Sequence, residues 1–232
     1  MLLSERLRTI ANFVPKNSIV GDIGTDHGYL PVYLIENKIS KKVIATDISS
    51  NSLKKIIQHV ESKGLKNFID IRLGDGLDVL KPFEIDTVVI AGMGGLLIKD
   101  ILDNSKEIAD TITHFILQPN IASDKLREYL YENNFTIIDE KLVKESDKFY
   151  EIIHAKKEKA LLNRRIYLEI GEKLIENKDP LLEDFVNFKI NLYSDIMKKI
   201  KNKNTSRTKE RYYELDKKIL DLKEVLREIE GN

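Results

Sequence analysis

One stretch near the start of the chain constrains the fold more than any other. Residues 18–23 are largely apolar and predict a buried strand. Gly24 and Gly28 border the turn that follows, and a helix is expected to begin at Tyr29, with Pro31 in its first turn, where a missing N–H costs little. A strand, a glycine-containing turn and a helix N-terminus together present backbone N–H groups to an anionic or polar ligand.

The same alternation of short apolar segments and helical periodicities continues to about residue 156. Strands are expected at residues 18–23, 42–47, 69–73, 87–91, 114–118, 135–143 and 149–156, with Pro119 ending the fifth and a hairpin joining the last two. The pattern predicts an α/β fold with a Rossmann-like, doubly wound sheet of seven mostly parallel strands and an antiparallel last strand. Ligands of such sheets bind at the C-terminal ends of the strands, where we expect the polar turns to share one edge.

A different pattern follows, rich in Lys, Glu, Leu and Ile and without strand-like runs. We expect one domain over residues 1–157 and a helical domain over residues 158–232. Two long helices are predicted, from Pro180 to Lys201 and from Arg207 to Glu230. Apolar residues at coiled-coil spacing are Leu215, Ile219, Leu222, Leu226 and Ile229, with a matching stripe at Phe185, Phe188, Leu192, Ile196 and Ile200. A short turn between such helices predicts an antiparallel coiled-coil hairpin.

The composition limits the kinds of site that the protein can contain and the cellular compartment that it suits. The chain has 232 residues, no cysteine and a net charge of zero. The absence of cysteine excludes disulfides, thiolate metal sites and cysteine nucleophiles, and fits a reducing compartment. The N-terminus lacks the features of a signal peptide, and no run approaches the roughly 20 apolar residues of a membrane span. We expect a cytoplasmic protein without a membrane segment. His59, His114 and His154 are scattered without metal-ligand spacing, so no metal is expected.

Acidic residues stand at the ends of the first three strands. Asp22 and Asp26 flank Gly24, and this pair of carboxylates disfavours a pyrophosphate and favours a ligand with an ammonium or sulfonium group. Asp47 ends the second strand, where an acid can accept hydrogen bonds from ribose hydroxyls. Asp75 lies between two glycines after the third strand and is placed to meet an adenine amino group. Taken singly, each acid is also compatible with an ordinary turn.

In combination these motifs resemble those of class I S-adenosylmethionine-dependent methyltransferases. Residues 22–31 read Asp-Ile-Gly-Thr-Asp-His-Gly-Tyr-Leu-Pro and residues 90–95 read Ile-Ala-Gly-Met-Gly-Gly. With residues 46–48, 74–77 and 117–119 they look like the TrmK family, bacterial tRNA (adenine-22-N1) methyltransferases with a C-terminal coiled-coil domain. The resemblance implies S-adenosyl-L-methionine as cofactor and tRNA as substrate.

The resemblance also implies roles for individual residues. Residues expected to contact the cofactor, through its methionine part, ribose, adenine or donor methyl group, are Asp22, Gly24, Thr25, Gly28, Asp47, Ile48, Asp75, Gly76, Ala91, Gly92 and Met93. The chain lacks the Asn-Pro-Pro-Tyr-type sequence of enzymes that methylate exocyclic amines. That departure suits adenine N1, whose in-plane lone pair can attack without losing a proton. We expect Asp26 to stabilise the developing positive charge and His27 or Gln118 to orient the base.

Basic residues near the end of the chain are candidates for contacts with RNA phosphates. Residues 1–155 contain 19 Lys and Arg against 23 Asp and Glu, whereas residues 156–232 contain the other 19 against 15. Seven cations with one acid among them cluster at the turn of the predicted hairpin: Lys198, Lys199, Lys201, Lys203, Arg207, Lys209 and Arg211. A solvated helix end explains the cluster equally well. Tyr29 is a candidate for stacking on an extruded base, or is plain core.

Two other functions remain open at this point. One is a nicotinamide-binding oxidoreductase, which the acids in the first turn disfavour. The other is a non-catalytic nucleotide-binding module whose coiled coil recruits a partner, which the acid at each of the three strand ends argues against. The protein is expected to be a monomer, although the helical tail could also serve in dimerisation.

Overall fold

The computed structural model describes residues 3–201, 203 and 205–230, and the chain forms two compact units that divide between Leu161 and Leu162. The first unit consists of α1 (Glu5–Phe13), β1 (Ser18–Ile23), α2 (Tyr29–Glu36), β2 (Ser40–Asp47), α3 (Ser50–Ser62), β3 (Ile69–Leu73), β4 (Thr87–Gly94), α4 (Gly95–Asn104), α5 (Lys106–Ala109), β5 (His114–Ile121), α6 (Ser123–Glu132), β6 (Phe135–Glu145) and β7 (Lys148–Lys157).

All seven strands of this unit form one sheet in the order β3-β2-β1-β4-β5-β7-β6. The first five strands are parallel to their neighbours, and β7 is antiparallel to both β5 and β6. The predicted doubly wound fold is therefore confirmed. Chain order reverses between β1 and β4, so the crevice for a ligand is expected where these two strands end.

Two apolar clusters cover the two faces of the sheet. One cluster contains Ile10 of α1, Leu34 of α2 and Ile56 of α3, all without exposed surface. The other contains Ile98 of α4 and Leu126 of α6. Successive residues of each central strand alternate between the clusters, as the two-residue period of a strand requires. Burial on both faces explains why the strands read as continuous apolar runs in the sequence.

The prediction that Pro119 ends the fifth strand is wrong. The strand continues to Ile121, and Pro119 is paired with Met93 of β4 across an irregular register. Pairing of β5 with β7 stops at Leu117. Beyond that residue β5 has a partner on one side only, and a proline that lacks the N–H is tolerated there.

The three histidines are less scattered than the sequence suggested. The rings of His114 and His154 are in contact, with 2.9 Å between Nδ1 and Nε2. His59 lies beside the first turn, as described below. No group of three or more His, Asp or Glu residues in the described part of the chain is arranged to hold a metal ion. None of the helices described is long and apolar enough to cross a membrane.

The second unit is helical. It contains a 3₁₀ helix at Arg165–Leu168, then α7 (Glu172–Glu176), α8 (Leu182–Ile200) and α9 (Ser206–Glu230). The last two pack against each other, as predicted for the hairpin. The 3₁₀ helix and α7 were not expected from the sequence.

The face of α8 that packs inward differs from the predicted stripe. Phe185 is buried as predicted, but Phe188 and Leu192 are exposed, and Lys189 and Met197 are buried instead. The cause is Glu169, which lies between the 3₁₀ helix and α7. Its backbone carbonyl accepts from Lys189 Nζ at 2.7 Å and its carboxylate accepts from the Tyr193 hydroxyl at 2.5 Å. A buried carboxylate needs donors, and α8 turns its polar residues towards it.

The seam of α9 also shifts near its end. Leu215, Ile219 and Leu222 are buried as predicted, but the next buried position is Val225. The predicted Leu226 is only partly buried. The heptad spacing thus identifies the first three seam positions and misses the fourth by one residue.

Candidate functional site

The turn after β1 is tied to the neighbouring strand by its backbone. The N–H groups of Gly24 and Thr25 both donate to the carbonyl of Thr46 at 2.9 Å. Those two donors are therefore not free for a ligand, contrary to the expectation for this turn. Gly24 and Gly28 have φ values of 72° and 69°, in the left-handed region that favours glycine.

Burial of Asp22 at the end of β1 changes its chemistry. The pKa of its carboxyl is raised to about 6 as the net result of burial, which raises it most, a hydrogen bond from Thr25, which lowers it, and the nearby charge of Asp47, which raises it. The carboxyl therefore changes its charge near neutral pH, and a cationic ligand group at this point would favour the ionised form.

Three aromatic rings stand together beside the turn. His27 and Tyr29 are stacked with 5.3 Å between ring centroids, and His59 meets Tyr29 edge-on at 5.5 Å. His59 Nδ1 also contacts the His27 carbonyl oxygen at 2.9 Å. The exposed carboxylate of Asp26 approaches His27 Nε2 at 3.3 Å. These contacts fix the orientation of Tyr29, while Asp26 stays open to solvent.

At the ends of β2 and β3 the predicted residues are exposed to solvent. Ile48 is 71% exposed, and Asp75 is exposed beside Gly76. Asp47 is partly buried, and its Oδ1 accepts from the Ser49 N–H at 2.7 Å. Its backbone carbonyl accepts from Gly74 N–H at 3.0 Å, which brings the ends of β2 and β3 together. Asp47 and Asp75 each retain oxygen atoms for a ligand.

Gly92 at the end of β4 has a φ of 79° and is held by two side chains from β5. The Gly92 N–H donates to Gln118 Oε1 at 3.2 Å, and the Gly92 carbonyl accepts from Asn120 Nδ2 at 2.6 Å. Gln118 Nε2 donates to Asn120 Oδ1 at 3.0 Å. Gln118 is fully buried. Its side chain therefore holds the turn after β4 in place. Gln118 was predicted to orient the base, and from this buried position it can do so only through its contact with Gly92.

Arg6 of α1 reaches the same place from the N-terminal end of the unit. Its Nη1 donates to Gln118 Oε1 at 2.5 Å, and its guanidinium lies 5.1 Å from the Tyr150 ring centroid. Its backbone N–H donates to Glu145 Oε1 at 3.0 Å. Nothing in the local sequence around Arg6 signals this position, since its partners come from β5, β6 and β7.

These elements enclose a cavity of about 710 Å³. Seven of the predicted site residues line it: Asp22, Gly24, Thr25, Asp26, Tyr29, Ala91 and Gly92. Eight unpredicted ones do so as well: Leu3, Ser4, Arg6, Leu7, Leu30, Asn120, Glu145 and Tyr150. The other residues predicted for the cofactor or the base are not among those lining it: His27, Gly28, Asp47, Ile48, Asp75, Gly76, Met93 and Gln118.

Gly28 and Met93 contribute by packing. A Cβ at Gly28 would lie 3.0 Å from Ile56, so glycine allows the start of α2 to approach α3. A Cβ at Gly24 would lie 2.2 Å from Met93 Cε, so the Met93 side chain occupies the space that glycine leaves. Both glycines therefore allow close packing around the first turn.

The recess between the ends of α8 and α9 belongs to the second unit. It has a volume of about 330 Å³ and is lined by Ile200, Lys201, Lys203, Thr208, Lys209, Tyr212 and Tyr213. Of the other predicted RNA contacts, Lys198 pairs with Asp195 at 2.9 Å and Arg211 with Glu214 at 2.7 Å. Asp195 and Glu214 lie just outside residues 198–211, so the surface around the seven cations carries more negative charge than that stretch alone. Asn202 and Asn204, within the turn, lie outside the described residues.

The family model for tRNA (adenine(22)-N(1))-methyltransferase, TrmK, matches residues 20–224. The chain belongs to the TrmK family. The match includes every strand of the sheet except the first two residues of β1, and most of α9. The resemblance stated from the sequence motifs is thereby confirmed.

Individual TrmK relatives agree with this. The tRNA (adenine(22)-N(1))-methyltransferase of Bacillus subtilis is 41% identical over 153 residues, 66% of this chain and 64% of that protein. The matched segment thus spans a little under two thirds of the B. subtilis enzyme's length.

Two solved structures match almost the whole chain. The Streptococcus pneumoniae protein Sp1610, a putative tRNA (m1A22) methyltransferase in complex with S-adenosyl-L-methionine, is 31% identical with a TM-score of 0.83, covering 97% of this chain and 100% of that one. TrmK of M. capricolum, in complex with the cofactor product S-adenosyl-homocysteine, is 29% identical with a TM-score of 0.85, covering 99% and 100%.

Proposed function

We propose that the protein transfers a methyl group from S-adenosyl-L-methionine to N1 of adenine 22 in tRNA. Family membership over residues 20–224 supports the reaction. The observation that carries the proposal is the cavity at the switch point of the sheet, walled by the buried Asp22 and bounded by the left-handed glycines Gly24 and Gly92. Such a cavity accepts a ligand that comes close to the backbone and carries a positive charge.

The residues present fit the cofactor at both of its ends. Its methionine part is a zwitterion next to a sulfonium, and the cavity offers the carboxylates of Asp22 and Asp26 and the guanidinium of Arg6. Asp47 would accept hydrogen bonds from the ribose hydroxyls, and the exposed Ile48 would pack on the adenine. The adenine edge would meet Asp75 and Gly76, and the donor methyl group would lie beside Ala91, Gly92 and Met93, with Thr25 and Gly28 shaping the first turn.

In this reaction the side chains of the protein hold the reactants in place and stabilise the charge that develops. When bound, the cofactor supplies an electrophilic methyl group on a positively charged sulfur. The side chains must hold adenine N1 in line with that methyl group, exclude water and place negative potential where the ring becomes cationic. We assign the last role to Asp26, with His27 holding its carboxylate at 3.3 Å. Gln118 acts through Gly92, whose N–H it fixes.

We assign a different function to each of the two predicted domains. Residues 1–157 carry the cofactor and the reacting base, and residues 158–232 bind the folded tRNA. Lys201, Lys203 and Lys209 line the recess at the turn of the hairpin, where phosphates would find several cations and an exposed Tyr213. Lys198, Lys199, Arg207 and Arg211 are assigned the same surface. Tyr29 lies at the cavity with its ring held by two histidines, which suits stacking on an extruded base.

Three further expectations accompany this proposal. tRNA is a cytoplasmic substrate, so the protein is assigned to the cytoplasm. It is taken as a monomer, and the transfer as independent of a metal. Gel filtration with light scattering and assays in the presence of a chelator test these last two points directly.

The experiment that tests the function is a pair of calorimetric titrations followed by a transfer assay. Binding of S-adenosyl-L-methionine, with no binding of NAD, is expected at micromolar concentrations. Unmodified tRNA should then gain one methyl group, which mass spectrometry of nuclease digests should locate at N1 of adenine 22. Binding of NAD alone would support the oxidoreductase, and binding of neither would support the non-catalytic module.

A further inference from the structure

The acceptor adenine has an amino group next to N1, and the β4 turn offers it no side chain. The side chains of Ala91, Gly92 and Met93 carry no nitrogen or oxygen acceptor, and one of the two lone pairs of the Gly92 carbonyl is taken by Asn120 Nδ2 at 2.6 Å. The amino group has two hydrogens, and an acceptor from another element would satisfy one of them, if the proposed function is correct.

Outside β1, the first turn and α2, the side chains that line the cavity and carry an oxygen atom are those of Ser4, Asn120, Glu145 and Tyr150. Ser4 Oγ accepts from the Leu7 N–H at 3.4 Å, and the Asn120 amide is hydrogen-bonded at both ends, with Gln118 and with Gly92. Glu145 is the carboxylate among the four, and its Oε1 has a hydrogen bond, from the Arg6 N–H at 3.0 Å. Its Oε2 lies 4.0 Å from Arg6 Nε, beyond hydrogen-bond distance, and the side chain is 31% exposed. Glu145 Oε2 therefore retains the capacity to accept a hydrogen bond.

Arg6 connects Glu145 to the β4 turn. Its Nη1 lies 3.9 Å from the point that a Cβ on Gly92 would occupy, and its Nε lies 4.0 Å from Glu145 Oε2. Its position is fixed by Gln118 and by the Tyr150 ring. Glu145 and Gly92 thus line the same cavity, with the Arg6 guanidinium beside both.

We propose that Glu145 Oε2 accepts a hydrogen bond from the exocyclic amino group of the acceptor adenine, and so selects adenine at the methylated position. In the step itself, the N1 lone pair forms the bond to the methyl carbon while the carbon–sulfur bond breaks and its electron pair goes to sulfur. No proton leaves, and the positive charge moves from sulfur to the adenine ring. That charge spreads to the amino group, where the carboxylate of Glu145 meets it.

Discrimination against guanine follows from the same contact. Guanine has a carbonyl oxygen in place of the amino group and a hydrogen on N1. Its oxygen would face the Glu145 carboxylate, and both groups are acceptors. A site that hydrogen-bonds one exocyclic group rejects the analogue that lacks it, because its own polar group is left unpaired.

The test pairs a protein variant with a nucleoside variant in the full-length enzyme. Transcripts are assembled with adenosine or with purine ribonucleoside, which has hydrogen in place of the amino group, at the acceptor position. For wild type and Glu145→Gln, the ratio of kcat/KM on the two transcripts is measured. We expect the preference for adenosine to fall on the order of 10-fold in Glu145→Gln. Glu145→Ala should lower it at least as far.

Controls separate this contact from a structural effect. Asp147→Asn removes one negative charge from the same hairpin and should keep the wild-type ratio. The amide introduced by Glu145→Gln retains an acceptor for the Arg6 N–H, so the thermal midpoint and the affinity for S-adenosyl-L-methionine should stay unchanged in that variant. An unaltered adenosine preference in both Glu145 variants would overturn the inference while leaving the proposed function intact. A wild-type enzyme that binds the cofactor and methylates no tRNA would overturn both.

Discussion

Gln118 holds the backbone of Gly92 from the neighbouring strand, with 3.2 Å between Oε1 and the glycine nitrogen. The same oxygen accepts from Arg6 Nη1 at 2.5 Å. One buried amide therefore connects the β4 turn to the N-terminal helix, and both sides of the cavity depend on it.

Replacing this amide by an apolar group of similar size should destabilise the fold. Gln118→Leu removes the acceptor of the Gly92 N–H and of Arg6. Gly92 is exposed, so water can replace its acceptor, and the loss at the partly buried Arg6 should cost about 1–3 kcal/mol. Urea denaturation at neutral pH measures the loss. Gln118→Glu keeps an acceptor for both donors and should lose less. Equal losses in the two variants would argue against the role given to Oε1.

Gly24 should be needed for space as well as for backbone conformation. A Cβ at this position would lie 2.2 Å from Met93 Cε, so Gly24→Ala must displace the methionine. Gly64 is the matched control, with a φ of 67° and nothing within 4 Å of the added Cβ. Both variants should lose about 1 kcal/mol of stability through strain. In calorimetric titrations only Gly24→Ala should lose affinity for S-adenosyl-L-methionine, and equal affinity in the two would contradict the packing argument.

Asp22 should make stability depend on pH in the acidic range. The pKa of its carboxyl is about 6 in the folded protein against an ordinary value of 3.8, so the folded state holds the proton more tightly than the unfolded one. Below pH 4 this group therefore contributes about 3 kcal/mol to the free energy of unfolding. The contribution falls as the pH rises and is fully lost above pH 6. His154, whose pKa is lowered by burial to about 4, gives a slope of opposite sign over the same range in both wild type and Asp22→Asn. Urea denaturation of the two proteins should therefore show the Asp22 contribution as a difference in stability, wild type minus Asp22→Asn, that falls as the pH rises from 4 to 6.

Cofactor binding should show the opposite dependence on pH. An ammonium or sulfonium near Asp22 favours the ionised carboxylate, so binding should release a proton and tighten as the pH rises towards 7. Titrations in buffers of different ionisation enthalpy measure the protons released. A wild-type enzyme that releases no more protons at pH 5.5 than Asp22→Asn would exclude contact between this carboxylate and the cation.

The sequence predicted the strand ends well, because each one is a local pattern. The buried run before Gly24 and the acid of Asp22 follow each other directly, and parallel strands must bring their C-terminal ends to one edge. Arg6, Glu145 and Tyr150 carry no such local signal. Arg6 and Glu145 are 139 residues apart in the chain and meet only because α1 packs at the end of β6. Asn120 directly follows Pro119, the predicted end of the fifth strand, but its contact with Gly92 could not be predicted from spacing.

The helical hairpin shows the same limit. Heptad spacing identified the buried Leu215, Ile219 and Leu222, because residues three and four positions apart lie on one face of a helix. It misassigned Phe188 and Leu192, because the face of α8 is set by the buried carboxylate of Glu169 in a segment that has no periodicity of its own. Periodic burial is readable from sequence, whereas a single buried charge that requires donors is not.

Asp26 should affect the transfer step more than cofactor binding. The carboxylate is exposed and is proposed to face the cation that forms on adenine, so Asp26→Ala should lower kcat roughly 100-fold, in the range seen for loss of one electrostatic contact to a transition state. Single-turnover assays and calorimetry measure the two effects separately. Asp100→Ala, which removes an exposed acid from α4, is the control. Equal losses in kcat and in cofactor affinity would refute the catalytic role.

The lysines that line the hairpin recess should account for part of the salt dependence of tRNA binding. With Lys201, Lys203 and Lys209 all changed to Ala, the slope of log K against log salt should fall by about 0.7 to 0.9 for each lysine that contacts a phosphate. Changing Lys217, Lys223 and Arg227 to Ala removes the same charge further along α9 and should leave most of the slope. Affinity for S-adenosyl-L-methionine should be unaltered in both triple variants. Similar slopes in the two would show that the recess has no special part in binding RNA, since net charge alone would then explain the affinity.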